Sequence, residues 1–163
     1  MPMSINRSSV APALLAPDGG KTISAVGVTM TFKTVGNQSD GQWLVLEYSA
    51  PPRFSGPPPH WHKVTTEIFY VLEGTLTMRV GGESMEVGPG GYAFVPPGTV
   101  HAFSNPGDEP ARFLLVASPA GLEDYFAELG ELIKNEPQWP PKDMSKVGAL
   151  MAKYDTFPPQ ALA

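Results

Sequence analysis

The 163 residues are enough for one ordinary domain whose core needs no disulfide to hold it. Nineteen prolines and 17 glycines call for frequent turns and favour an all-β body, while the absence of cysteine excludes disulfides, thiolate ligands and a cysteine nucleophile. A net charge of −5 with scattered Lys and Arg excludes a phosphate-neutralising face, and no apolar run approaches the roughly 18 residues of a membrane span.

These features lead us to expect a cytoplasmic protein with no nucleic-acid or membrane partner. Residues 1–20 read as a poorly ordered arm, because Ala13-Leu14-Leu15-Ala16 is too short, and too interrupted by Pro12 and Pro17, to be the apolar region of a secretory signal. Strand-forming residues in partial alternation occupy 21–33 and 42–49, with the turn chemistry of 36–41 between them. The proline-rich stretch 51–59 cannot belong to a central strand. Residues 65–72 are dense in strand formers and end at Gly74. Two further runs, 75–80 and 84–87, flank Gly81-Gly82, a dipeptide suited to a tight hairpin. Runs at 92–95, 100–104 and 111–117 complete a barrel or sandwich over 21–118.

From 119 to 163 the pattern becomes helical. Ser118 is the expected cap with Pro119 at the first position, after which Leu122, Tyr125, Phe126, Leu129, Leu132 and Ile133 share one face. Beyond the prolines of 137–141, Met144, Val147, Leu150, Met151 and Tyr154 form a second stripe. Two C-terminal helices are therefore expected, each burying its stripe on the barrel or on a second subunit.

Only three histidines occur in the chain, and two of them are His60 and His62. Residues two apart in a strand face the same way, so both imidazoles can aim at one point while Trp61 faces the other. Glu67 follows after a short bend, and His101 enters a later strand through Pro96-Pro97-Gly98. Three imidazoles and a carboxylate suit one divalent transition metal per subunit, Fe, Mn, Ni, Co, Zn or Cu, without choosing among them. By alternation, Phe69 and Val71 share the face of Glu67, and Phe103 that of His101. Tyr48, Phe69, Met78, Phe103 and Phe113 are the candidate substrate pocket, and Met30, Phe32, Leu46 and Leu115 are further candidates; each also suits plain barrel core.

The spacing His60-Trp61-His62, four residues, Glu67, six residues, Gly74 resembles the first cupin motif, with Phe54 where that motif opens on glycine and Gly56 two residues beyond. Gly90, five residues, Pro96-Pro97-Gly98, two residues, His101, three residues, Asn105 resembles the second motif at every defined position. The resemblance, running from about Val26 to Ala117, implies a double-stranded β-helix, the cupin jelly-roll barrel. It also implies that His60, His62, Glu67 and His101 are the metal ligands. Glu67 would double as catalytic base, and Asn105 would shape a turn. The stretch around His60 and Glu67 looks like the quercetin-dioxygenase type of small cupin, which implies a dioxygenase acting on a small aromatic or enolisable substrate. The same four residues equally serve a non-redox lyase, isomerase or cyclase, and a non-catalytic small-molecule-binding cupin is the third alternative. Small cupins are frequently dimers, so a homodimer is expected.

Overall fold

A computed structural model describes residues 10–25 and 27–160. The first nine residues of the expected arm, Val26 and residues 161–163 lie outside the described residues. Eleven strands and two helices follow in order: β1 Lys21–Ala25, β2 Val28–Thr34, β3 Leu44–Ala50, β4 Trp61–His62, β5 Thr66–Glu73, β6 Leu76–Val80, β7 Glu83–Val87, β8 Tyr92–Val95, β9 His101–Ser104, β10 Ala111–Ser118, α1 Leu122–Asn135, α2 Ser145–Lys153 and β11 Thr156–Phe157. All strand pairings are antiparallel. One sheet has the order β1-β2-β3-β10-β5-β8, a second β7-β6-β9, and a two-stranded pair joins β11 to β4.

The alternation of side chains builds the core between the two larger sheets. In β3 and β10 every second residue is buried, with Leu44, Leu46, Tyr48 and Ala50 facing inward from one and Ala111, Phe113, Leu115 and Ala117 from the other. Leu76 and Met78 of β6 and Phe103 of β9 close the same cluster from the second sheet. Phe113 lies at its centre, fully buried and with ring centroids 4.8 Å from Tyr48, 5.2 Å from Phe103 and 5.7 Å from Phe69. Phe113→Ala is therefore expected to cost about 3–5 kcal/mol of folding stability, measured by urea unfolding. A loss below about 1 kcal/mol would mean that this ring is not core.

Three sequence expectations change. The single run 21–33 is a hairpin, β1 and β2, turning next to Gly27, whose φ of 83° suits glycine. Strand formers on both sides hide that turn, because no Asn, Asp or Pro joins Gly27 to announce it. The first tail helix begins at Leu122 and not at Pro119, since Ser118 is still paired with Thr66 as the end of β10. Glu123 supplies the terminus instead, its carboxylate accepting from the backbone N–H of Gly121 at 2.7 Å and of Gly36 at 2.6 Å. The stripes, expected on the barrel or on a second subunit, are covered in part within this chain. Leu122, Val147 and Leu150 are buried and Tyr125 and Phe126 pack against the core, but Leu129, Leu132 and Ile133 are half-buried and Met144 is exposed. The Gly81-Gly82 hairpin stands as expected, with Val80 opposite Glu83 and a φ of 61° at Gly81. Among the described residues no helix is long and apolar enough to cross a membrane.

Candidate metal centre

His60, His62, Glu67 and His101 come together. One nitrogen or oxygen from each lies within 4.8 Å of the others, and all four residues are buried. His60 and His101 face each other across an antiparallel bridge, with N–H to C=O distances of 3.0 and 2.8 Å in the two directions. His62 is fixed through its own carbonyl, which accepts from the N–H of Gly98 at 2.7 Å. The tight turn before β9 and the histidine pair before β5 are thus hydrogen-bonded to each other.

Each imidazole is oriented by the same device. Nδ1 of His60 lies 3.0 Å from the carbonyl of Pro58, that of His101 3.0 Å from Thr99 O, and that of His62 2.8 Å from Asp155 O. A carbonyl can only accept, so each Nδ1 carries a proton; Nε2 of His60 and of His62 is left as a lone pair for the centre of the site, and Nε2 of His101 is the nitrogen that meets Glu67. Glu67 Oε2 is 2.7 Å from His101 Nε2, a hydrogen bond. It lies 3.2 Å from His62 Nε2, close but without the alignment of one, so His62 Nε2 is a buried nitrogen with no partner. An orphaned, inward-facing lone pair is costly unless a ligand takes it, and three Nε2 atoms with a carboxylate form the donor set of a divalent transition metal. The residues fit such an ion.

Electrostatics agree with that role. Burial, and after it the neighbouring His101, push His60 down to about 4, so its imidazole is neutral at pH 7. Burial lowers His62 as well, but the adjacent Glu67 carboxylate outweighs it and the net direction is upward. Burial alone would raise Glu67; the hydrogen bond from His101 and the nearness of His62 prevail and hold it at about 2, ionised.

Tyr48, Phe69, Met78, Phe103 and Phe113, the expected pocket residues, are packed together in the buried core, where Phe69 reaches the His101 ring. Phe69 lies 6.3 Å from the His101 ring and 5.6 Å from Phe103, while Tyr48 stacks on Phe113 and meets Phe103 edge-on at 5.4 Å. Met78 is buried opposite Phe103 in the β6–β9 register. A surface cleft of about 600 Å³, lined by Ile23, Phe32, Lys33 and Glu123 among others, contains none of His60, His62, Glu67 and His101. Of the cations flanking the site in sequence, Lys63 is exposed, and Arg53 is exposed and paired with Asp108.

Two motif positions explain themselves. Asn105, almost fully buried, donates to the carbonyls of Pro51 at 3.0 Å and Glu109 at 2.8 Å and accepts from the N–H of Gly107 at 3.1 Å, which makes it a knot for two loops and no ligand. Gly56, with φ of 77°, sits so close to the Phe103 carbonyl that a Cβ would collide with it, and so fills the place left open by Phe54.

Residues 46–117 match the Cupin domain family. The barrel has the cupin fold. Quercetin 2,3-dioxygenase of Bacillus subtilis (strain 168) is 33% identical over 93 residues, 57% of this chain and 27% of that one. The polyketide cyclase RemF from Streptomyces resistomycificus superposes with a TM-score of 0.57 at 26% identity, covering 66% of this chain and 80% of its own. KdgF from Halomonas sp. reaches a TM-score of 0.61 over 70% of this chain and 99% of its own, at 16% identity, a likeness of fold. The alignments cover 24% to 56% of the lengths of the curated relatives.

One residue of the site escaped the sequence reading. Asp155 lies 93 positions from His62, and nothing in the local sequence marks its carbonyl as the partner of a ligand.

Proposed function

We propose that this cupin is a metal-dependent dioxygenase acting on a small aromatic or enolisable substrate. The observation that carries the reading is the ionised, buried Glu67 among three imidazoles, each presenting Nε2, beside the aromatic group of Phe69, Phe103, Tyr48 and Phe113. Likeness to a quercetin 2,3-dioxygenase supports oxygenation over the other reactions of such a site. A divalent ion on His60, His62, Glu67 and His101 would supply Lewis acidity and electron transfer to dioxygen.

The rest falls to side chains. Phe69 and Phe103 offer an apolar wall for an aromatic ring and keep water away from it. Glu67 takes the proton of the substrate hydroxyl. Glu67 is ionised, and a hydroxyl whose pKa is lowered by that Lewis acidity, such as that of a flavonol or the enol of a β-diketone, can pass its proton to the carboxylate. Both atoms of dioxygen then enter the substrate and no external reductant is needed.

A second reading, a non-redox cyclase using the same four residues, is favoured by the likeness to the polyketide cyclase RemF. Oxygen uptake by the metal-loaded protein with flavonols, catechols and β-diketones separates the two. Consumption stoichiometric with substrate supports the dioxygenase. Product formed without consumption transfers the assignment to the cyclase class, and a bound ligand recovered unchanged leaves a binding protein.

A further inference from the structure

The C-terminal segment returns across the whole chain to the metal centre, and it does so with more than packing. β11 pairs with β4, placing Thr156 opposite His62 and Phe157 opposite Trp61. Trp61 Nε1 donates to the carbonyl of Pro158 at 3.0 Å, and the rings of Trp61 and Phe157 lie 5.0 Å apart. The helices bring the segment there: Tyr154, which ends α2, donates its hydroxyl to Glu128 of α1 at 2.6 Å.

Asp155 uses both of its oxygen-bearing groups. Its backbone carbonyl accepts from His62 Nδ1 at 2.8 Å, which fixes the tautomer and ring plane of that ligand. Its carboxylate accepts from the N–H groups of Lys63 at 2.8 Å, Val64 at 2.9 Å and Thr65 at 2.9 Å, and from the Thr65 hydroxyl at 2.9 Å. Residues 63–65 are the bend between His62 and Glu67. The side chains of Lys63 and Val64 are exposed and that of Thr65 is buried with its hydroxyl on this carboxylate, so the carboxylate ties all three residues of the bend. Asp155 itself has a φ of 54°, a conformation that aspartate and asparagine tolerate better than most residues.

We propose that Asp155 is a positioning residue for the metal centre, holding His62 with its carbonyl and the His62–Glu67 bend with its carboxylate, so that metal affinity depends on the C-terminal segment. The inference rests on metal binding at the site and on no particular reaction. Co²⁺ is the probe, with three readouts: affinity by chelator competition, the visible spectrum of the bound ion, and the rise in melting temperature on loading. Asp155→Gly keeps the carbonyl and accepts the positive φ, and so removes the carboxylate alone. It is expected to weaken Co²⁺ binding roughly 10- to 100-fold, to alter the cobalt spectrum and to shrink the melting-temperature rise, with Asp155→Asn recovering part of each.

Parental affinity and spectrum in Asp155→Gly overturn the proposal. So does an affinity loss that leaves the spectrum parental and is matched in full by loss of metal-free stability, the mark of a purely structural role. If Asp155→Gly does not fold, Asp155→Asn decides by the same readouts: weakened binding with an altered spectrum supports the proposal and parental values overturn it. A parent protein that takes up no Co²⁺ overturns the metal reading and this inference together, whereas a parent and a variant that bind equally overturn this inference alone.

Discussion

Replacing His60 and His62 together by alanine is expected to abolish metal retention. Elemental analysis after dialysis should find close to one divalent ion per parent chain and less than about a tenth of that in the variant, since two of four donors are gone. The pair removed includes the orphaned Nε2 of His62 and the imidazole of His60, held neutral at about 4. What remains is Glu67 beside His101, two donors, too few to compete with buffer for the ion. The barrel should survive the change, because its core of Leu44, Leu46, Phe69, Leu76, Phe113 and Leu115 does not include either histidine. A circular dichroism spectrum like the parent's is the control. Full metal content in the double variant would place the ion elsewhere in the chain.

That His60, His62, Glu67 and His101 come together was legible in the sequence for a physical reason. Histidine is scarce here, and a pair two apart on an extended segment has a geometry that needs no knowledge of the rest of the fold. The inward residues of β3, β5 and β10 were legible for the same reason, as the alternation in sequence is the alternation in space. The β1–β2 turn was not, because Gly27 interrupts an otherwise continuous pattern without any second turn residue. Met144 shows the limit of periodicity: it falls on the stripe but precedes the helix and faces solvent. Asp155 marks a different limit. Its role comes from a backbone carbonyl and three backbone N–H groups brought together over about 90 positions, and backbone groups leave no signature in the identity of the residues that carry them.

Glu67→Gln is expected to separate binding from turnover. The amide keeps the length of the side chain and an oxygen that can accept from His101 Nε2, so the site should still assemble, with metal affinity reduced roughly tenfold for the lost charge. The amide cannot take a proton from substrate. If Glu67 is the base, kcat with a flavonol or β-diketone falls by about 10²- to 10⁴-fold at saturating metal, while KM changes little because the apolar wall of Phe69 and Phe103 is untouched. Loss of activity that returns fully when the metal concentration is raised would reduce Glu67 to a ligand and nothing more. A fall in kcat that persists at saturating metal assigns it both tasks. The combination is chemically coherent because the forces that keep Glu67 ionised, the His101 hydrogen bond and the neighbouring His62, are those a cation would replace, so the carboxylate enters the reaction as an anion ready to take a proton.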